Sequence, residues 1–202
     1  MAESRASRIK LLLFDVDGVL TDGTILFLPA PAGVSHSVIE ERTKDVSPGF
    51  GISDTNMIET KGFNAHDGTG FSLARFGGLK TGIITKRISE TVALRARDLK
   101  VDYLRQGIQD KQSVFEELLR EEKITAEQAA YVGDDIIDLP VMRQCGLAIA
   151  VADARPEVRQ QAHYVTEHRG GRGAARDAVE FILRAQGTWQ RVLEDYLKAH
   201  SK

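Results

Sequence analysis

Leu11-Leu12-Leu13-Phe14-Asp15-Val16-Asp17-Gly18-Val19-Leu20-Thr21-Asp22-Gly23 carries an apolar run straight into two carboxylates one residue apart, then into a glycine-punctuated loop. Side chains on a strand repeat with period two, so Asp15 and Asp17 leave the sheet edge pointing the same way. Two like charges held that close repel and call for a cation. A hard divalent ion with oxygen ligands, Mg²⁺ above all, suits two carboxylates and a phosphate. The stretch predicts a phosphoryl-transfer site rather than a solvated loop.

Outward from it, short apolar runs alternate with helical patterns, which predicts βαβ units and a parallel sheet. Strands are expected at Lys10–Phe14, Thr81–Thr85, Val101–Leu104, Ala130–Gly133, Gly146–Val151 and His163–Thr166. Helices are expected at Gly70–Phe76, Ser89–Leu99, Asp110–Glu122, Arg155–Ala162, Ala174–Ala185 and Thr188–Ala199, with Ser89 as an N-cap and Thr125 with Gln128 as a capping box. The segment Thr24–Phe63 breaks this rhythm. It has β-like stretches at Ile25–Leu28, Ser37–Glu41 and Asn56–Glu59 and holds three of the five prolines. An isolated hairpin is marginal in water and wants a partner surface, so this segment reads as an assembly arm.

A chain of 202 residues, 42% hydrophobic and 28% charged, is long enough for one ordinary domain with a real core. Its formal net charge of -2 gives no global attraction to nucleic acid or anionic lipid, so phosphate affinity has to be local. Cys145 is the single cysteine, which excludes an internal disulfide and a thiolate metal cluster. The four-residue apolar run after a polar start is too short for a signal peptide, and no stretch approaches a membrane span. The expectation is a cytoplasmic protein with no nucleic-acid or membrane partner.

Ligands of an open parallel sheet sit beyond the C-terminal strand ends. Those ends carry Asp15 and Asp17, then Thr85, then Lys111 at a helix start, then Asp134, Asp135 and Asp138. A carboxylate at Asp15 can attack phosphorus and form an aspartyl phosphate. Asp17 can protonate the leaving alkoxide and later take a proton from water. Metal held by Asp15 and Asp134 would stabilise the growing charge, while Thr85 and Lys111 hold phosphoryl oxygens. Asp135 also reads as a helix cap.

This ordering resembles the haloacid dehalogenase superfamily, whose first motif is Asp-x-Asp-x-[Thr/Val], over about Lys10 to Gly187. The runs Asp15–Gly23, Phe63–Gly68, Gln106-Gly107 with Asp110-Lys111, Tyr131–Met142 and Gly170–Ala174 are similar to those of the 3-deoxy-D-manno-octulosonate 8-phosphate phosphatase family. The resemblance implies one three-layer, Rossmann-like α/β domain over residues 1–202. A β-hairpin arm (24–63) replaces a cap domain, and 170–202 form a C-terminal loop and helical tail. It implies Mg²⁺, a homotetramer and a phosphorylated keto-sugar acid as substrate, within lipopolysaccharide biosynthesis. It further implies Asp15 as nucleophile, Asp17 as acid/base, and Thr85 and Lys111 as phosphate ligands. Metal ligation falls to Asp15, the Asp17 carbonyl and Asp134, with Asp135 and Asp138 supporting. His66 and Arg172 would border the substrate, Arg172 near a mouth that could be a neighbour's.

The chain departs from the family pattern at three places. Thr85-Lys86-Arg87 stands where Thr-Gly-Arg is usual, and His66 stands where the pattern has arginine. An imidazole is a weaker, pH-dependent partner for a carboxylate than a guanidinium. The arm is longer than usual by roughly twenty residues, against hairpin loops of a few. The alternatives are therefore a phosphatase for a nine-carbon keto-acid 9-phosphate or other sugar phosphates, and a catalytically weak assembly module. A signalling receiver domain also uses acids, a Thr and a Lys, but no acidic cluster follows its lysine as Asp134-Asp135 follows Lys111 here.

Overall fold

In the computed structural model, which describes residues 2–29 and 57–201, the apolar runs become strands buried on both faces. β1 (Leu11–Phe14), β6 (Ala129–Gly133) and β7 (Leu147–Ala150) are buried at every residue, and β4 (Lys80–Ile84) at all but Lys80. A sheet covered on both sides has no polar face, so its strands read as continuous hydrophobic runs. With β5 (Tyr103–Arg105) and β8 (Tyr164–Val165) they form a six-stranded parallel sheet in the order β5-β4-β1-β6-β7-β8. β1 lies near its middle, Phe14 opposite Ile83 of β4 and Val132 of β6. Asp15, Thr85 and Asp134 are the residues immediately after β1, β4 and β6.

Helices Ala65–Phe76, Ala174–Ala185 and Trp189–Ala199 pack together in one layer, while Lys111–Glu122, Leu139–Met142 and Pro156–Gln161 form another. Together with the sheet this is the three-layer α/β arrangement expected. No helix among the described residues is long and apolar enough to cross a membrane.

The helix expected at Gly70 begins at Ala65 instead. Asn64 caps it, its Oδ1 accepting the His66 N–H at 2.8 Å. Gly68 and Gly70 argue against a helix interior by propensity. Packing overrides them: a Cβ at Gly70 would lie 2.9 Å from the Arg176 Cα, so this glycine lets two helices approach closely. The strand expected at Val101–Leu104 sits at Tyr103–Arg105, because the Asp102 carboxylate turns to accept the Thr81 N–H at 2.9 Å. Ser89 precedes the helix Glu90–Leu99 but makes no side-chain cap bond.

β2 (Leu26–Pro29) and β3 (Met57–Thr60) pair antiparallel as a separate two-stranded ribbon, Leu28 opposite Ile58. This ribbon is the base of the segment that breaks the α/β rhythm. The expected stretch Ser37–Glu41 and the arm's tip lie outside the described residues.

Candidate active site

The chain enters the site through β1, whose hydrogen bonding to β6 continues one step past the strand: the Asp15 N–H donates to the Val132 carbonyl at 3.1 Å. That fixes the Asp15 carboxylate, only 4% exposed, above the sheet's C-terminal edge. Lys111 arrives from another direction. Asp110 caps the helix Lys111–Glu122 by accepting the Gln112 and Ser113 N–H groups, which sets the first turn and aims Lys111 inward. Its Nζ lies 2.9 Å from Asp15 Oδ2 and 2.8 Å from Asp138 Oδ1. It also donates to the Tyr131 hydroxyl at 3.2 Å.

Asp138 is fully buried and spends both oxygens. Oδ1 accepts from Lys111 and, at 2.9 Å, from the Tyr131 hydroxyl. Oδ2 accepts the N–H of Asp134 at 3.0 Å and of Asp135 at 3.4 Å. It thereby shapes the loop that presents Asp134. Asp135 turns away and caps the next turn, accepting the Ile136 N–H at 2.7 Å.

Ligand atoms of Asp15, Asp134 and Asp138 lie within 4.8 Å of one another, and Lys111 is the cation the described structure sets among them. Burial raises Asp15 to about 7, Asp138 adding to the rise and Lys111 opposing it. Burial likewise raises Asp134 to about 8, with Asp138, Asp15 and Asp135 contributing in that order. Burial works against the Lys111 ammonium, but Asp15 and Asp138 more than offset it and its pKa rises. Asp134 Oδ1 is buried without a hydrogen-bond partner. Gly18, at φ +87°, keeps the facing backbone clear: a Cβ there would sit 2.2 Å from Asp134 Oδ2. Converging oxygens, an orphaned carboxylate atom and unbalanced negative charge fit a hard divalent cation. Asp15 and Asp134 are the side chains with capacity to hold it, since Asp138 is already committed.

Asp17 stays outside this group. Its Oδ1 is 2.5 Å from the Nζ of Lys61, a fully buried side chain just past β3. Lys61 also lies 3.3 Å from Glu59 Oε1, and Glu59 Oε2 accepts from Arg87 Nη2 at 2.5 Å. Thr85, 2% exposed, follows β4, its hydroxyl oxygen accepting the Arg87 N–H at 3.4 Å.

The structure thus gathers Asp15, Lys111, Asp134 and Asp138, with Asp17 and Thr85 on adjoining loops. It does not bring in the two remaining residues. His66 faces a separate cleft of about 450 Å³, shared with Glu167, His168, Arg176 and Glu180. Arg172 is exposed and pairs with Asp22 at 3.4 Å. Its glycine-rich loop clasps the backbone after Asp17, the Gly171 N–H donating to the Val19 carbonyl at 2.9 Å. Sequence reasoning gives Tyr131, Lys61, Glu59 and Arg87 no role, because the Tyr131–Lys111, Lys61–Asp17 and Glu59–Arg87 contacts span 20, 44 and 28 positions of chain. Asp67, which the sequence offers only within the run Phe63–Gly68 and ahead of the expected helix, accepts the N–H groups of Gly173 at 3.3 Å and Arg176 at 3.1 Å.

A family model for haloacid dehalogenase-like hydrolases matches residues 84–176. The chain is 39% identical to the 3-deoxy-D-manno-octulosonate 8-phosphate phosphatase of Yersinia pestis over 182 residues, 90% of this chain and 83% of that one. Its fold superposes on the crystal structure of the Yersinia pestis phosphatase with a TM-score of 0.77 at 38% identity, covering 94% and 88% of the two chains. A Moraxella catarrhalis phosphatase of the same name, solved with magnesium, phosphate and KDO, superposes with a TM-score of 0.79 at 30% identity, covering 96% and 97%. With the acid–lysine site on the sheet edge where the motifs require it, the chain belongs to the 3-deoxy-D-manno-octulosonate 8-phosphate phosphatase family of haloacid dehalogenase-like hydrolases.

Proposed function

We propose that this protein is a Mg²⁺-dependent phosphatase that hydrolyses 3-deoxy-D-manno-octulosonate 8-phosphate to the free sugar acid and phosphate. The observation that carries the reading is the buried Asp15–Lys111–Asp138 contact beside an orphaned Asp134 oxygen. The substrate follows from the name of the relatives it resembles.

Asp15 and Asp134, with the Asp17 carbonyl, would hold Mg²⁺, which when bound supplies positive charge to the phosphoryl oxygens and relieves repulsion between phosphate and carboxylate. Asp15 attacks phosphorus in line, so the Asp15 O–P bond forms as the ester P–O bond breaks. Asp17 gives its proton to the departing alkoxide. Water then attacks the aspartyl phosphate, Asp17 takes the water's proton, and inorganic phosphate leaves. Lys111 turns its ammonium to the phosphoryl oxygens, and the Thr85 hydroxyl donates to them. Asp138 holds Lys111 and Asp135 holds the loop. His66 and Arg172 stay outside the reacting centre.

The protein would act in the cytoplasm, in lipopolysaccharide biosynthesis, as a homotetramer. Leu26, Phe27 and Leu28 support the assembly, since all three project exposed from a two-stranded ribbon that buries little by itself. The test is phosphate release from eight- and nine-carbon keto-acid phosphates and other sugar phosphates, with Mg²⁺ or chelator. The expected result is preference for the eight-carbon acid, loss in chelator, and loss of at least about 10³-fold in Asp15→Asn. Full activity in that variant would sink the mechanism.

A further inference from the structure

Period two sends Asp15 and Asp17 to one side, yet the buried acid group closes from Asp15, Asp134 and Asp138 without Asp17. β1 ends at Phe14 and the backbone then turns, the Val16 carbonyl accepting the N–H groups of Val19, Leu20 and Thr21, so Asp17 leaves the line of the strand and its carboxyl is held elsewhere. Lys61 is wholly buried, so its ammonium has given up water and takes Asp17 at 2.5 Å and Glu59 at 3.3 Å in exchange. Glu59 is anchored in turn, accepting from Arg87 Nη2 at 2.5 Å and Nε at 3.2 Å. The Glu59 carbonyl accepts the Thr91 hydroxyl at 3.1 Å. A buried ammonium loses its pairing in any other rotamer, so Lys61 is fixed by its surroundings. Asp17, whose side chain is about a quarter exposed, is then fixed by Lys61.

We propose that Lys61 is a positioning residue for the reaction: it holds the Asp17 carboxyl, which the turn after β1 carries outside the acidic cluster, and aims it at the leaving oxygen. The inference rests on the reading of Asp17 as the acid/base group. An ammonium only donates, so with Lys61 on Oδ1 the transferable proton belongs on Oδ2. In the step it serves, the Asp15 O–P bond forms, the ester P–O bond breaks, and that proton passes to the departing oxygen. A misaimed carboxyl fails to deliver it, and the rate then depends more steeply on how well the departing oxygen bears its own charge.

The experiment measures kcat/KM with saturating Mg²⁺ for aryl phosphates running from phenyl to p-nitrophenyl phosphate. It compares wild type, Lys61→Met, Lys61→Arg, Asp17→Asn and the Lys61→Met/Asp17→Asn double variant. kcat/KM stops at phosphoenzyme formation, so the later proton transfer from water does not enter. Lys61→Met is expected to lose at least about 10-fold more on phenyl than on p-nitrophenyl phosphate, within the range general acid catalysis contributes. Lys61→Arg should recover most of that, and the double variant should be no steeper than Asp17→Asn. The folded fraction cancels in a ratio taken within one variant. A uniform loss in Lys61→Met while Asp17→Asn steepens overturns the positioning role alone. No steepening in Asp17→Asn overturns the acid role of Asp17, and the proposal with it.

Discussion

Asp15 and Asp134 are acids kept where their protonated form is favoured, near 7 and 8 against an ordinary 3.8. Between about pH 4 and pH 8 the folded chain retains protons the unfolded chain has released, so these two groups lower stability as pH rises through that window. A divalent cation binds the ionised form and opposes the trend. In chelator, the melting temperature is expected to fall from pH 6 to pH 8.5. Excess Mg²⁺ should raise it more at pH 8.5 than at pH 6. A melting temperature that climbs with pH in chelator contradicts this account. The acids, Thr85 and Lys111 were legible in the sequence because each stands at a strand end or helix start. Lys61 was not, because its partner Asp17 is 44 positions away and a lone lysine beside a strand looks like any surface lysine.

Elements show the same division. Strands sandwiched between helix layers are uninterrupted apolar runs, so β1, β4, β6 and β7 could be located from composition alone. The start of the helix Ala65–Phe76 could not, because the reason for its glycines lies on the helix Ala174–Ala185. Asp67 joins those two helices by capping the second from the first turn of the other. Its burial, opposed by the N–H groups of Arg176, Gly173 and Ala175, raises its pKa. Asp67→Ala leaves buried N–H groups unpaired and is expected to cost about 1–3 kcal/mol. Urea unfolding at neutral pH reads this as a lower midpoint with an unchanged slope. An unchanged midpoint would mean that water replaces the carboxylate without loss.

For the whole molecule, the ribbon β2–β3 and its exposed Leu26, Phe27 and Leu28 form the surface the proposed tetramer would cover. Light scattering is expected to give four times the 22.3 kDa chain mass, falling toward one chain in Phe27→Asp with Leu28→Asp. A wild-type mass of one chain would remove the assembly reading. The place of β1 in the sheet order has a consequence in time. It is made before the other strands of its sheet, yet it is bordered by β4 and β6, and β6 is made more than a hundred residues later. At 5–20 residues per second the run Leu11–Phe14 waits roughly 5 to 25 s with at least one edge open. Unpaired apolar strands seed aggregation, and charges at their ends suppress it. Asp15 and Asp17 stand at the end of that waiting strand, so the carboxylates proposed to carry the chemistry also place negative charge beside the open edge.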